Sequence, residues 1–217
     1  MTTPHPLRPH PHDLLWLGVP LVLASDTPVP DWVDANWPLV VRRDQGAEAG
    51  RIPVGARGPM RHQRHPAWVD ARLVKRVATP EDLAALLPLH QRAREGCAFL
   101  KALASLAPCL DDIGLPWGPT GSAGFALASG VAMLRPESDL DLLVRAETRP
   151  SAAQIVGLSG LQARSPCRLD IQIDTGWGGF ALGEWLAQRR QVLLKTSRGP
   201  VLVEDPWQFG TSDEVDL

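Results

Sequence analysis

The residues with the clearest chemical potential are Asp139 and Asp141, set in the run Ser138-Asp139-Leu140-Asp141-Leu142-Leu143-Val144. In a strand, successive side chains point to opposite faces, so this spacing puts both carboxylates on one side and Leu140 and Leu142 on the other. Two adjacent anions need a cation. Upstream, Trp117-Gly118-Pro119-Thr120 leads into Gly121-Ser122, a strand-to-helix turn whose backbone N–H groups can hold phosphate. Downstream, Cys167-Arg168-Leu169-Asp170-Ile171-Gln172-Ile173-Asp174 alternates polar with apolar residues and offers a third carboxylate, Asp170 or Asp174. Mg²⁺ prefers oxygen ligands and keeps some of its water, so such carboxylates, completed by phosphate oxygens, need no His or Cys. The implied chemistry is metal-dependent displacement at phosphorus, in which negative charge develops on the attacking and leaving oxygens. Asp170 could bind a second metal ion or take a proton from the incoming hydroxyl, and Arg135, Arg168 and Lys195 are candidate charge partners for the donor.

The elements that must hold these residues follow from local pattern. Before residue 79, Asp13-Leu14-Leu15-Trp16-Leu17, Leu39-Val40-Val41 and Ile52-Pro53-Val54-Gly55-Ala56-Arg57-Gly58 read as short strands among prolines, a small β-rich domain over 1–78. Its later part is basic, with Arg51, Arg57, Arg61, Arg64, Arg72, Lys75 and Arg76 against Asp70 alone. That cluster reads as a solvated face or as a site for phosphates or an acidic protein.

At Thr79-Pro80-Glu81-Asp82, an N-cap hydroxyl, a first-turn proline and acids at the positive end of the dipole predict a helix start and open a second domain over 79–217. The stripe Leu83, Leu86, Leu87, His90, Cys97, Leu100, Leu103 and Ala104 predicts helix with Pro88 kinking or splitting it. Helices are also expected over 151–162 and 178–190, the latter with Phe180, Leu182, Trp185 and Leu186 inward, and strands at Val192-Leu193-Leu194 and Val201-Leu202-Val203. The class is therefore mixed α/β (α+β).

Bulk properties exclude several roles. A formal net charge of -2 over 217 residues gives no global attraction to a nucleic acid polymer. No run reaches the roughly 18 apolar residues that span a bilayer, and the Pro- and His-rich start lacks the plan of a secretory signal, so a cytoplasmic protein without membrane contact is expected. Three cysteines without CxxC spacing read as buried thiols, and most of the eight tryptophans as core. The acidic tail from Glu204 reads as solvated.

Gly-Ser, then Asp-x-Asp on a strand, then a third acidic strand resembles the nucleotidyltransferase superfamily of the DNA polymerase beta type across roughly residues 79–203. The resemblance implies a mixed sheet with flanking helices, Mg²⁺ on Asp139, Asp141 and Asp170, donor phosphates at Gly121 and Ser122, and attack of a hydroxyl on an α-phosphorus with loss of pyrophosphate.

A closer likeness spans nearly the whole chain, through Pro11-His12-Asp13-Leu14-Leu15-Trp16, Pro53-Val54-Gly55-Ala56-Arg57-Gly58, Ser138-Asp139-Leu140-Asp141-Leu142, Arg168-Leu169-Asp170-Ile171-Gln172 and Trp177-Gly178-Gly179-Phe180. These segments are similar to the bacterial phosphoribosyl-dephospho-CoA transferases, the holo-acyl-carrier-protein synthases of malonate decarboxylase. That likeness implies 2'-(5''-triphosphoribosyl)-3'-dephospho-CoA as donor and a serine of the malonate decarboxylase acyl carrier protein as acceptor. It also implies an N-terminal module that contacts the carrier or the CoA pyrophosphate. Two other readings stand beside it: a nucleotidyltransferase acting on a small-molecule hydroxyl, and a non-catalytic assembly factor for a carrier protein.

Overall fold

The computed structural model describes residues 9–18, 23–45, 50–89, 97–131, 133–135, 138–187 and 190–210. The first eight residues, His90 and the last part of the acidic tail, residues 211–217, lie outside the described residues. The chain divides into two compact units, Met1–Thr79 and Pro80–Leu217.

In the first unit, β1 (Leu14–Leu17), β2 (Leu39–Val41), β3 (Arg51–Arg57), β4 (Arg64–Asp70) and β5 (Val74–Ala78) form an antiparallel sheet in the order β4-β3-β2-β1-β5. Alternation assigns its two faces. Leu15, Leu39, Val41, Ile52, Val54, Ala56, Ala67 and Val69 form the core, while Arg51, Arg57, Arg64 and Arg76 fall on the opposite face by register. The basic run thus contains two strands, β4 and β5, that its charge concealed; His65, Ala67 and Val69 supply the inward face of β4. Asp70 ends β4 by accepting the Arg72 N–H at 2.9 Å and two side-chain bonds from the Arg72 guanidinium at 3.0 and 3.1 Å through Nε. Those side-chain bonds, followed by the backbone bond, pull the Asp70 carboxyl down to about 2.

The second unit holds a six-stranded sheet, β11-β10-β9-β8-β7-β6, made of β6 (Trp117–Pro119), β7 (Leu140–Arg145), β8 (Leu169–Asp174), β9 (Gly178–Ala181), β10 (Val192–Thr196) and β11 (Gly199–Val203). Only β7 and β8 run parallel; every other pair in this sheet is antiparallel. A parallel pair needs a crossover. Helix α4 (Ala152–Arg164) supplies it, started by a capping box between Ser151 and Gln154. Helix α1 (Pro80–Leu86) begins at the expected proline, and Pro88 does split the segment, leaving a single 3₁₀ turn at Leu87–Leu89. Helix α2 (Ala98–Ile113) buries Leu100, Leu103, Leu106 and Leu110 and stops at Gly114 in a left-handed conformation. Helix α3 (Gly121–Ser129) follows β6 directly. The helices pack with Leu140, Leu142, Val144, Ile171, Ile173, Phe180 and Leu194 into one core.

Four expectations need correction. The tail from Glu204 is not wholly solvated: Trp207 and Phe209 pack against the core, and the Trp207 indole N–H donates to the carbonyl of Ala146 at 2.8 Å. Residues 178–190 do not form one helix: Gly178–Ala181 is β9, and helix α5 covers only Leu182–Leu186. Gly178 faces the backbone of Lys195 and the side chain of Leu194 so closely that a Cβ there would fall 2.9 and 2.8 Å from them, an approach that only glycine permits between strands. Tryptophan is core only in part: Trp117 is buried, Trp32, Trp185 and Trp207 are half-buried and pack against the cores, and Trp177 is 49% exposed. The three cysteines are half-buried and unpaired, and Cys109 accepts a 2.9 Å contact from the Arg164 guanidinium. Among the described residues no helix is long and apolar enough to cross a membrane.

Candidate active site

Each carboxylate is positioned by the alternation that buries its neighbours. Leu140 and Leu142 are completely buried, whereas Asp141 between them is half-buried on the opposite face. The parallel ladder pairs Leu140 with Leu169, Asp141 with Asp170 and Leu142 with Ile171. Asp141 and Asp170 therefore project side by side from adjacent strands, whose spacing is about 4.8 Å. Asp139 and Arg168 precede their strands by one residue and meet as an ion pair, Arg168 Nε to Asp139 Oδ1 at 3.5 Å. Arg168 is 79% exposed and Asp139 31%.

The Gly-Ser turn lies against this row. Thr120 N–H donates to the carbonyl of Asp141 at 2.9 Å, binding the start of α3 to β7. Gly121 has φ of +55°, and a Cβ there would overlap the Asp141 carboxylate. Glycine at 121 is thus required twice, by its backbone angle and by the acid beside it. The start of α3 brings the partial positive charge of a helix N-terminus next to Asp141.

Register separates the two candidates for a third carboxylate. Asp174 pairs in the ladder with Arg145, which donates to Asp174 Oδ2 at 3.4 Å and to Glu81 Oε1 of α1 at 2.6 Å. Asp174 also accepts the Gly176 N–H at 3.0 Å and is 5% exposed. It is engaged in fixing α1 to the sheet, whereas half-buried Asp170 sits beside Asp141. Sequence reading missed this Arg145 network and the backbone bond of Thr120. A charged residue two places beyond the apolar pair Leu142-Leu143 was the only local signal for Arg145.

Of the proposed cationic partners, Arg168 stands beside Asp139. Lys195 is exposed on β10, opposite Gly179, which is itself opposite Asp174. Arg135 is half-buried and closes a short loop, its N–H donating to Ser138 Oγ at 3.0 Å.

Among the described residues no three His, Cys, Asp or Glu side chains gather into a cage able to hold a metal ion unaided. Mg²⁺ does not need such a cage, because it binds through one or two carboxylates completed by substrate phosphates and water. An oxygen-only set, with two acids in register and a glycine leaving room at their side, fits that ion.

Comparison with known proteins matches the two parts of the chain to two family models. Residues 73–206 match the family model of the phosphoribosyl-dephospho-CoA transferase MdcG C-terminal domain, and residues 10–80 match that of its N-terminal domain. A phosphoribosyl-dephospho-CoA transferase of Pseudomonas aeruginosa is 42% identical over 93% of this chain and 95% of its own. Its namesake in Azotobacter vinelandii is 43% identical over 93% and 96%, and one in Klebsiella pneumoniae 42% identical over 92% and 96%. No solved structure matches the chain significantly. With both family models and near-full-length relatives in agreement, the chain belongs to the phosphoribosyl-dephospho-CoA transferase family and is a transferase enzyme.

Proposed function

We propose that this enzyme moves the phosphoribosyl-dephospho-CoA group from 2'-(5''-triphosphoribosyl)-3'-dephospho-CoA to a serine of the malonate decarboxylase acyl carrier protein, with Mg²⁺ as cofactor. The observation that carries the reading is the in-register pair Asp141 and Asp170 beside the Gly121 turn. The serine Oγ attacks the α-phosphorus; a new P–O bond forms, and the bond from that phosphorus to the bridging oxygen breaks, so pyrophosphate leaves with the electron pair. When bound, Mg²⁺ supplies the positive charge that offsets the oxyanions of this displacement.

The chain's own residues do the rest. Asp141 and Asp170, with Asp139 just before β7 and with phosphate oxygens and water completing the set, would hold the ion, or Asp170 would instead accept the serine proton. Gly121 and Ser122 offer backbone N–H groups to the donor's terminal phosphates. Arg168, already beside the carboxylates, is free to swing to a phosphate because its side chain is 79% exposed. The outward arginines of the N-terminal sheet give that unit a basic face suited to phosphates or to an acidic protein. Three unpaired thiols suit a reducing cytoplasm.

The test is incubation of the enzyme with purified carrier protein and the triphosphoribosyl donor, followed by mass spectrometry of the carrier. A serine-linked mass increase together with stoichiometric pyrophosphate is expected, and EDTA should abolish both. An unmodified carrier under saturating Mg²⁺ would refute the acceptor; transfer undiminished by EDTA would refute the cofactor.

A further inference from the structure

The face of the C-terminal sheet that bears the carboxylates continues past them to the β10–β11 hairpin. Register traces it strand by strand: Asp174 faces Gly179, Gly179 faces Lys195, and Lys195 faces Pro200. Two residues from that row, Leu193 faces Leu202 on the same side, in line with Gln172 and Ala181. These leucines are 38% and 63% exposed, and Pro200 beside them is exposed as well. The strand neighbours of Leu193, Val192 and Leu194, are buried on the other side, and those of Leu202, Val201 and Val203, are half-buried there. Each strand of the hairpin thus spends apolar residues on both faces, where a solvent-facing strand would alternate with polar ones.

Charge and distance say what fits there. Between Gln191 and Val203 the chain carries Lys195 and Arg198, both exposed, and no acid. Exposed Arg168 adds a third cation from the row of the carboxylates. With strands about 4.8 Å apart and a rise of about 3.3 Å per residue, Leu193 lies about 12 Å from Asp170 and Leu202 about 16 Å. A standard protein interface covers about 800 Å² per partner, a disc about 16 Å in radius. One folded partner centred between the leucines and the carboxylates therefore covers both. A donor phosphate site would need convergent cations rather than an apolar centre, and Pro200 breaks the row of donors that an added strand would use.

We propose that the exposed face of the β10–β11 hairpin, centred on Leu193 and Leu202 and rimmed by Lys195 and Arg198, docks the protein that presents the acceptor hydroxyl, through an apolar patch edged with acids. The inference rests on the proposed transfer to a carrier serine and adds where that carrier sits. Docking here brings the serine over Asp141 and Asp170 while leaving the Gly121 turn to the donor.

The experiment compares full-length wild type with Leu202→Glu and Arg198→Glu. Steady-state transfer is measured with carrier and donor varied separately, alongside calorimetric binding of the carrier without donor. Expected are a rise of tenfold or more in KM for the carrier with Leu202→Glu, threefold or more with Arg198→Glu, a donor KM within twofold of wild type, and unchanged melting temperatures. Unchanged carrier KM in both variants overturns the proposal. So does a wild-type dimer, seen by sedimentation velocity, that Leu202→Glu dissociates without altering carrier KM, since the face would then join two copies. If wild type fails to modify the carrier, the transfer reading falls on its own; carrier binding that Leu202→Glu abolishes would still support the docking face, and absent binding would overturn it.

Discussion

Asp141 and Asp170 stand opposite one another in a parallel ladder, one from each of the only two parallel neighbours among the described strands of their sheet. Replacing either by Asn keeps the volume and removes the charge. Transfer should fall by about a hundredfold or more, equivalent to about 2.7 kcal/mol of transition-state stabilisation, while thermal unfolding stays within a degree or two. Asp139→Asn should behave alike. Steady-state kinetics beside calorimetry check this, and an Asp141→Asn enzyme of near-normal turnover would remove the acid from the reaction.

Gly121 and Gly130 offer a controlled comparison at the two ends of α3. Both have positive φ, +55° and +72°, but only at Gly121 would a Cβ meet the Asp141 carboxylate; nothing lies within 4 Å at Gly130. Gly130→Ala should cost about 1 kcal/mol of stability and leave activity intact, because only backbone strain is added. Gly121→Ala carries the same strain and displaces the acid, so transfer should collapse. Equal kinetic effects of the two substitutions would contradict this.

Arg145 links three segments, and its loss should be felt as stability. Arg145→Met deprives Glu81 and the almost fully buried Asp174 of a charged donor, which should cost about 2 to 3 kcal/mol in urea denaturation. Glu81→Gln retains an acceptor for the guanidinium and should cost about 1 kcal/mol or less. Substrate KM values should hardly move with Glu81→Gln.

Asp70 is expected to titrate late. Its carboxyl is drawn from 3.8 to about 2 by Arg72, so its contribution to the folded state is complete above pH 3.8 and fades as pH falls toward 2. A carbon-detected NMR titration should find its midpoint more than one unit below those of ordinary aspartates, and Arg72→Ala should restore it. A midpoint near 3.8 in the wild type would mean that the pair is open in solution.

The acid-bearing strands were legible because their information is local. A period of two in Leu140-Asp141-Leu142 and in Leu169-Asp170-Ile171 fixes which side each carboxylate takes. Thr79-Pro80-Glu81-Asp82 announced helix α1 through first-turn proline and acids, a signal that is equally local. Strand β9 was hidden because Gly178 and Gly179 carry no alternation, so the amphipathic pattern of the following residues was extended over them. Strands β4 and β5 were hidden by arginines that satisfy a surface face as well as a loop. The pairing of Asp141 with Asp170, of Arg145 with Asp174, and the contact of Arg145 with Glu81, 64 residues away, are set by strand register and packing, which no single segment encodes.

The crossover through α4 also governs when the chemistry can appear. Since Asp141 meets Asp170 only after the intervening helix has folded back across the sheet, a nascent chain that has emerged as far as β7 should possess half of the proposed site and no activity. Competence during synthesis or refolding should therefore arrive in one late step together with the parallel pairing, so that regained transfer reports completion of the C-terminal sheet.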